Sequence, residues 1–390
     1  MANYNGVTAP SIAVQFFIGS TWTSTTASDV LETSIRRGRK QYDILAQAGV
    51  ASIVFNNYSG AYDPDNASGV ASIVFNNYSG AYDPDNASGP YAGQLKAGLQ
   101  MRIVATWSSV GYTIYQGFLE SSVVNQGQYP TVVMNFVDGL GYIADAQAPV
   151  LDSLQFSETA ATRVGRMLDY AGWSATARSL TGSVTMATTI QGKSCLQMIY
   201  QAVNCIAGRF YISRSGVATL VPLSDKFSRP TQLLFSDQGD AFSMIYRGLI
   251  VDPGTYYVVN QAVVDRGALA TKTSTYNPSR IANGLVSKRF DAPILNETSG
   301  ANLALYESRQ QADPVTYAKQ IDFSALSLGQ LYPDFLACEI GDQVSVKRLT
   351  VDNRSLQYNL VIEGMTHRIT SDDWNVSFHT SPIDPYSITI

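Results

Sequence analysis

The stretch MRIVATWSSVGYTIYQGFLESSVVNQGQYPTVVMNFVD, residues 101–138, decides the fold class. Met101 to Trp107, Tyr112 to Val124 and Thr131 to Asp138 are each rich in β-branched and aromatic side chains, the residue types that suit a pleated, half-buried surface. Ser108-Ser109-Val110-Gly111 separates the first pair and reads as a hairpin, and Asn125 to Pro130 makes a second turn. Three strands in an antiparallel meander follow from this spacing. Upstream, Ile12 to Phe16 and Ala71 to Phe75 repeat the pattern between Gly, Asn, Asp and Pro. Residues 1–147 therefore read as one antiparallel β barrel or sandwich-like domain.

The period then changes. From Ser157, a candidate N-cap, the residues Ala160, Ala161, Val164, Met167, Leu168 and Ala171 recur at helical spacing, and Gly172 follows as a C-cap. A second amphipathic helix begins near Ser194, with Leu196, Ile199, Tyr200, Val203 and Ile206 on one face. The hairpin from Arg209 to Val221 completes a small α/β unit over residues 148–226. Residues 227–390 return to β, through Ile245 to Val251, Tyr256 to Val264 and Thr316 to Phe323, with one helix near 298–311. Gln343 to Arg348, Tyr358 to Ile369 and Trp374 to Thr380 close the chain as strands, the last pair reversed at Ser371-Asp372-Asp373. The expectation is a mainly β (α+β) fold of two antiparallel β domains with the α/β unit between them.

Charged residues make up 15% of the chain and the formal net charge is -5. Nucleic-acid binding rests on clustered Lys and Arg that neutralise phosphates, so sequence-specific binding is not expected. The densest basic cluster, Arg36, Arg37, Arg39 and Lys40, reads as a solvated strand end or an intersubunit contact. Tyr-rich, Lys-poor surfaces suit protein contacts. No apolar run is long enough to span a bilayer, and Met1 to Gly6 lacks the basic and apolar regions of a secretory signal, so synthesis in a cytoplasm and no membrane insertion are expected.

Catalytic and ligand motifs are weak. Cys195, Cys205 and Cys338 fit neither a disulfide framework nor a CxxC pattern. His367 and His379 lack HxH or HExxH spacing, and no GxSxG elbow occurs. Gly139-Leu140-Gly141-Tyr142-Ile143-Ala144 matches GxGxxA, but it follows a hairpin meander rather than opening a βαβ unit, and Asp138 would repel phosphate. It reads as a short helix or turn closing the first β domain. Asp63-Pro64-Asp65-Asn66 and its twin Asp83-Pro84-Asp85-Asn86 read as side-chain-capped turns rather than calcium loops. No catalytic residue, cofactor or metal ligand is assigned.

Several strings together resemble the minor tail proteins of siphophages. They are Tyr82-Asp83-Pro84-Asp85, Gly89-Pro90-Tyr91, Leu95, Gly98, Arg102, Ile103, Trp107 and Tyr115 to Leu119; then Met167 to Trp173; then Gly341-Asp342-Gln343-Val344, Val361 to Gly364, His367 and Trp374. Their order, with the β, α/β, β arrangement, resembles the baseplate hub family. The resemblance implies a non-enzymatic virion protein of the tail tip, a homotrimer that caps the tail tube around the DNA exit channel. Implied partners are a distal tail ring or tail-tube protein above, a central fibre or spike, and the tape measure protein. Some relatives append a peptidase or fibre domain; none is read here, so receptor binding is not expected of this chain. Other readings are a hexameric distal tail ring, a side protein that binds carbohydrate, and a cell-wall-degrading enzyme.

Gly49 to Ser68 is repeated letter for letter as Gly69 to Ser88. Diverged repeats mark solenoids, whereas one perfect tandem copy marks a recent duplication or a recording error. Each copy carries a strand and an Asp-Pro turn. One sheet position cannot hold two strands, so one copy is expected in the core and the other as an extra hairpin or surface excursion.

Overall fold

A computed structural model describes residues 9–39, 70–149, 157–187, 194–254 and 258–383. The first region contains strands β1 (Ser11–Ile18), β2 (Thr21–Ser24), β3 (Val30–Gly38), β4 (Val70–Asn76), β5 (Gln100–Trp107), β6 (Val110–Asn125) and β7 (Thr131–Val137). They lie antiparallel in the order β3-β4-β7-β6-β5-β1-β2. Period-two alternation sets which side is buried: Met101, Ile103 and Ala105 on β5 are fully buried, while Arg102 and Val104 between them are not. The β5–β6 hairpin turns on Ser108 and Ser109, at φ 47° and 66°. Two left-handed central residues give the turn a twist that matches the strands, here without the usual Asn-Gly.

The next elements are α1 (Gly139–Ala144), β8 (Glu158–Thr159), α2 (Ala160–Tyr170), β9 (Arg178–Leu180), β10 (Thr185–Met186), α3 (Cys195–Cys205), β11 (Arg209–Ile212) and β12 (Ala218–Val221). The N-cap of α2 is Thr159, whose hydroxyl accepts from the Thr162 N–H, not Ser157. Glu158 and Thr159 are held extended by pairing with Met186 and Thr185, so the helix cannot begin earlier. Gly172, at φ 69°, lies just past its end as expected. Ser194 caps α3 in a reciprocal capping box with Gln197.

The remaining elements are α4 (Asp225–Ser228), β13 (Thr231–Ser236), β14 (Gly248–Asp252), β15 (Gln261–Arg266), β16 (Leu269–Thr275), α5 (Asn277–Asn283), β17 (Ser287–Asp291), α6 (Glu297–Gln310), β18 (Tyr317–Ser324), α7 (Tyr332–Ala337), β19 (Gln343–Leu349), β20 (Ser355–Thr370) and β21 (Trp374–Pro382). The expected strand from Ile245 starts later, because the Met244 N–H bonds back to the Leu234 carbonyl and leaves Ile245 exposed. Residues 227–390 also carry more than one helix. Strands β15, β16 and β17 form their own three-stranded sheet against α6.

Among the described residues the buried side chains gather in two cores that cut across sequence order. The β core joins Phe16, Phe75 and Phe136 of the first region to Phe235, Phe323, Trp374 and Phe378 of the last. The second core joins α2 and α3 residues such as Met167 and Ile199 to Val264, Ile294 and Leu303. One strand makes the first union possible. β20 pairs with β19 through Ser355 to Val361, and with β3 through Gly364 to Thr370, so a single 13-stranded sheet spans both β regions. Strand β4, between β3 and β7, belongs to the second copy of the repeat; the first copy, Gly49–Ser68, lies outside the described residues.

Candidate functional site

Charged side chains concentrate where β3, β11 and β20 meet. The register between β20 and β21 shifts at Ile362/Gly364, which makes Glu363 the extra residue of a β-bulge. A bulge re-aims its side chain and bends the strand. Gly38, at φ 74°, ends β3 so close to it that a Cβ there would lie 2.2 Å from the Glu363 carbonyl oxygen. The Arg39 N–H donates to that oxygen at 2.9 Å.

The Glu363 carboxylate is 2% exposed, and it accepts from Arg39 Nε at 2.9 Å, Arg209 Nη2 at 2.8 Å and Ser381 Oγ at 2.6 Å. Burial by itself would raise its pKa; the Arg209 and Arg39 guanidiniums outweigh burial and hold it at about 2. A second set of pairs adjoins the first. Buried Arg37 donates to the Ile212 carbonyl at 3.2 Å and pairs with Glu339, whose other oxygen accepts from the Arg214 N–H at 2.8 Å. Arg229 bridges Asp225 and Asp342, each at 2.7 Å. Gly341, at φ 95°, passes so close that a Cβ would lie 3.0 Å from Arg209 Nη1. These ion pairs tie strands of the β core to β11 of the α/β core.

A cleft of about 590 Å³ opens beside the junction, lined among others by Glu363, Arg209, Lys226, Tyr200, Asp291 and Tyr306. Both signs of charge face it. Such a lining suits a rigid, hydrogen-bonded seam between units better than capture of one ionic ligand.

Of the two readings of the basic cluster, a solvated strand end or an intersubunit contact, the first is corrected: Arg37 is 4% exposed and Arg39 is paired with Glu363. The charges of Arg37 and Arg39 are met by carboxylates more than three hundred residues downstream, which no local pattern reveals. Lys40 lies outside the described residues.

Around Gly139, read as a short helix or turn, the chain forms the six-residue helix α1. The Asp138 carboxylate accepts from the Leu140 N–H at 2.9 Å, occupying the helix start, and a Cβ on Gly139 would lie 2.3 Å from the Trp173 ring. Asp83 and Asn86 cap their own turn, accepting from the Asp85 and Ser88 N–H groups at 3.0 and 3.1 Å. The twin turn at Asp63 is outside the described residues.

His367 is buried, its Nδ1 accepting from Trp374 Nε1 at 3.3 Å, and burial and Arg37 push its pKa down to about 3. His379 is buried on β21, level with Gln320 of β18. The three cysteines are free and buried, and burial raises the thiol pKa of each. Among the described residues, no three His, Cys, Asp or Glu side chains gather as a metal site would need, and no helix is long and apolar enough to cross a membrane.

No protein-family model matches the sequence, and no curated protein matches it significantly. Solved structures do. The fold is similar to that of the tail protein from Neisseria meningitidis MC58, with TM-score 0.62, 11% identity, and coverage of 97% of this chain and 98% of that one. The 43 kDa tail protein of prophage MuSo2 from Shewanella oneidensis gives TM-score 0.62 at 9% identity over 96% and 99%. Prophage tail protein gp18 from Listeria monocytogenes EGD-e gives 0.51 at 9% identity over 95% and 94%. At such identities the likeness is one of fold, and it runs nearly end to end in both directions: this chain is built on a fold that solved prophage tail proteins share.

Proposed function

We propose that this chain is a non-enzymatic structural component of a bacteriophage tail, and within the tail the hub of the tail tip that closes the tube around the DNA exit channel. The observation that carries this reading is the near full-length likeness to two tail proteins, each covered to 98% or more. Two further features support it. The strings Gly341 to Val344 and Val361 to Gly364, part of the resemblance to siphophage minor tail proteins, lie at the ion-paired junction, where Asp342 and Glu363 hold Arg229 and Arg209. The junction fixes the two β regions in one continuous sheet, as a ring component needs if both are to contribute to one wall.

In this reading three chains, each with two β regions, present six similar units to a hexameric ring or tube above, and a fibre or spike and the tape measure protein complete the tip. The acidic balance of -5 suits a passage that does not hold phosphate. Native mass spectrometry of the purified chain, with microscopy of assembled tails, tests the proposal. A trimer at the tube end is expected. A hexamer would transfer the chain to the ring, and a persistent monomer absent from tails would remove the structural role.

A further inference from the structure

The repeat gives the sheet two candidate strands for one position. The position itself is demanding: β4 pairs on one side with β3, from Val30↔Phe75 to Arg36↔Val70, and on the other with β7, from Val70↔Val137 to Asn76↔Thr131. Ala71, Ile73 and Phe75 are fully buried there. The turn that follows is built just as closely. Tyr82 stacks on Phe75 with ring centroids 4.3 Å apart and on Tyr91 at 5.4 Å, and its hydroxyl donates to Asp29 Oδ2 at 3.1 Å. Asn77 Oδ1 accepts from the Tyr82 N–H, and Asn86 Nδ2 donates to the Gly80 carbonyl.

These contacts fall into two groups. Those internal to the copy, between Phe75, Asn77, Gly80, Tyr82 and Asn86, would recur letter for letter between Phe55, Asn57, Gly60, Tyr62 and Asn66. Those that leave the copy go to β3, β7, Phe16, Asp29 and Tyr91, and each of these partners lies outside both copies. Nothing in the recognition of the position distinguishes one copy from the other.

We infer that the β4 position is redundantly encoded, so that Val50 to Asn56 is competent to replace Val70 to Asn76 between β3 and β7 when the resident strand is damaged. Connection geometry permits it. With the first copy in place, residues 40–49 would join β3 to the strand, ample for antiparallel neighbours, and residues 70–89 would move to the far side of the turn. The same geometry explains why the second copy is resident. Its arrangement closes a single connection, residues 39–69, whereas the alternative closes two shorter ones and breaks the turn in which the Ala92 N–H bonds to the Gly89 carbonyl. The first copy is thus a reserve with the same side chains and a costlier path.

Deletion cannot test this, since removing either copy leaves the same chain. Single substitutions can. Ile53→Asp should leave the thermal midpoint unchanged. Ile73→Asp should also fold, with the midpoint lowered by no more than about 5 °C for the less favourable connections, and the double variant should not fold. A direct readout accompanies these. In the Ile73→Asp background, Cys introduced at Ser52 should crosslink to Cys introduced at Asn135, the partner of Ser72 in the native register, while the unmodified chain carrying the same Cys pair should not. Failure of Ile73→Asp to fold while Ile53→Asp behaves as the parent would overturn the inference. A folded double variant, or a folded Ile73→Asp chain without the crosslink, would also overturn it.

Discussion

The two cores are assembled in opposite ways. Most of the α/β core comes from one run of chain, Leu140 to Leu220, joined by a later segment from Val264 to Ala304. The β core draws Val14 to Phe136 and Leu233 to Phe378 into a single cluster across the whole length of the chain. Local assembly leaves a local record, visible as capping residues and helical spacing. Long-range assembly does not, and two distant strands meet closely at the Gly38–Glu363 contact and its ion pairs, where removing one partner would strand a buried charge. The β core should therefore be the more sensitive to single changes at the seam.

The change expected to do most is Glu363→Ala. It would leave Arg39 and Arg209 beside an empty, buried position, and breaking a buried pair by removing one partner costs about 3–5 kcal/mol. Chemical denaturation should show the loss, and Arg214→Ala, which leaves no comparable buried charge, should cost less. If Glu363→Ala unfolds with the parent, the seam is not what joins the β regions.

Acid should act on the same core next. His367 is kept neutral in the fold down to about pH 3, whereas in the unfolded chain it takes up a proton below its ordinary 6.5. The unfolded state then binds more protons, so stability falls as pH drops from 6.5 towards 3, by up to about 1.4 kcal/mol per pH unit. Glu363 adds a second loss lower down: its stabilising charge is fully present above the ordinary 4.5 and is lost as pH falls towards about 2. In His367→Gln the decline above pH 4.5 should flatten, measured as unfolding midpoints at stepped pH.

Gly139 and Gly141 sharpen the comparison at the boundary between the cores. A Cβ at Gly139 meets Trp173 at 2.3 Å, an overpacking worth about 1–3 kcal/mol. At Gly141 the nearest atom is Val137 Cβ at 3.2 Å, and the gain in helix propensity offsets much of the contact, so Gly141→Ala should change stability by less than about 1 kcal/mol. Neither variant should alter nucleotide affinity by calorimetry, because the helix start is occupied by Asp138.

Much of the secondary structure was legible. The strands at residues 101–138, the helix start near Ser194 and the hairpin from Arg209 follow from spacing alone, since each depends on neighbours within a few residues. The start of α2 was misplaced by a β pairing with Met186, and the strand expected from Ile245 by a backbone bond to Leu234. Both errors have one source, a partner from outside the segment. The ion-paired junction was illegible for the same reason: Arg37 and Arg39 resemble any solvated basic run until Glu339 and Glu363 are brought to them.

What the sequence determined by itself was the class of most elements, the lack of a recognisable catalytic motif, and the presence of two identical strand-forming segments. Hydrophobic period, caps and turn residues act over a few positions and can be read there. Which of the two segments supplies β4, that β20 splits its pairing between β19 and β3, and that a bulge at Glu363 turns a carboxylate onto two arginines were decided only by tertiary structure. Pairing between segments so far apart depends on the closure of long connections and on the fit of faces that are adjacent only once the chain has folded.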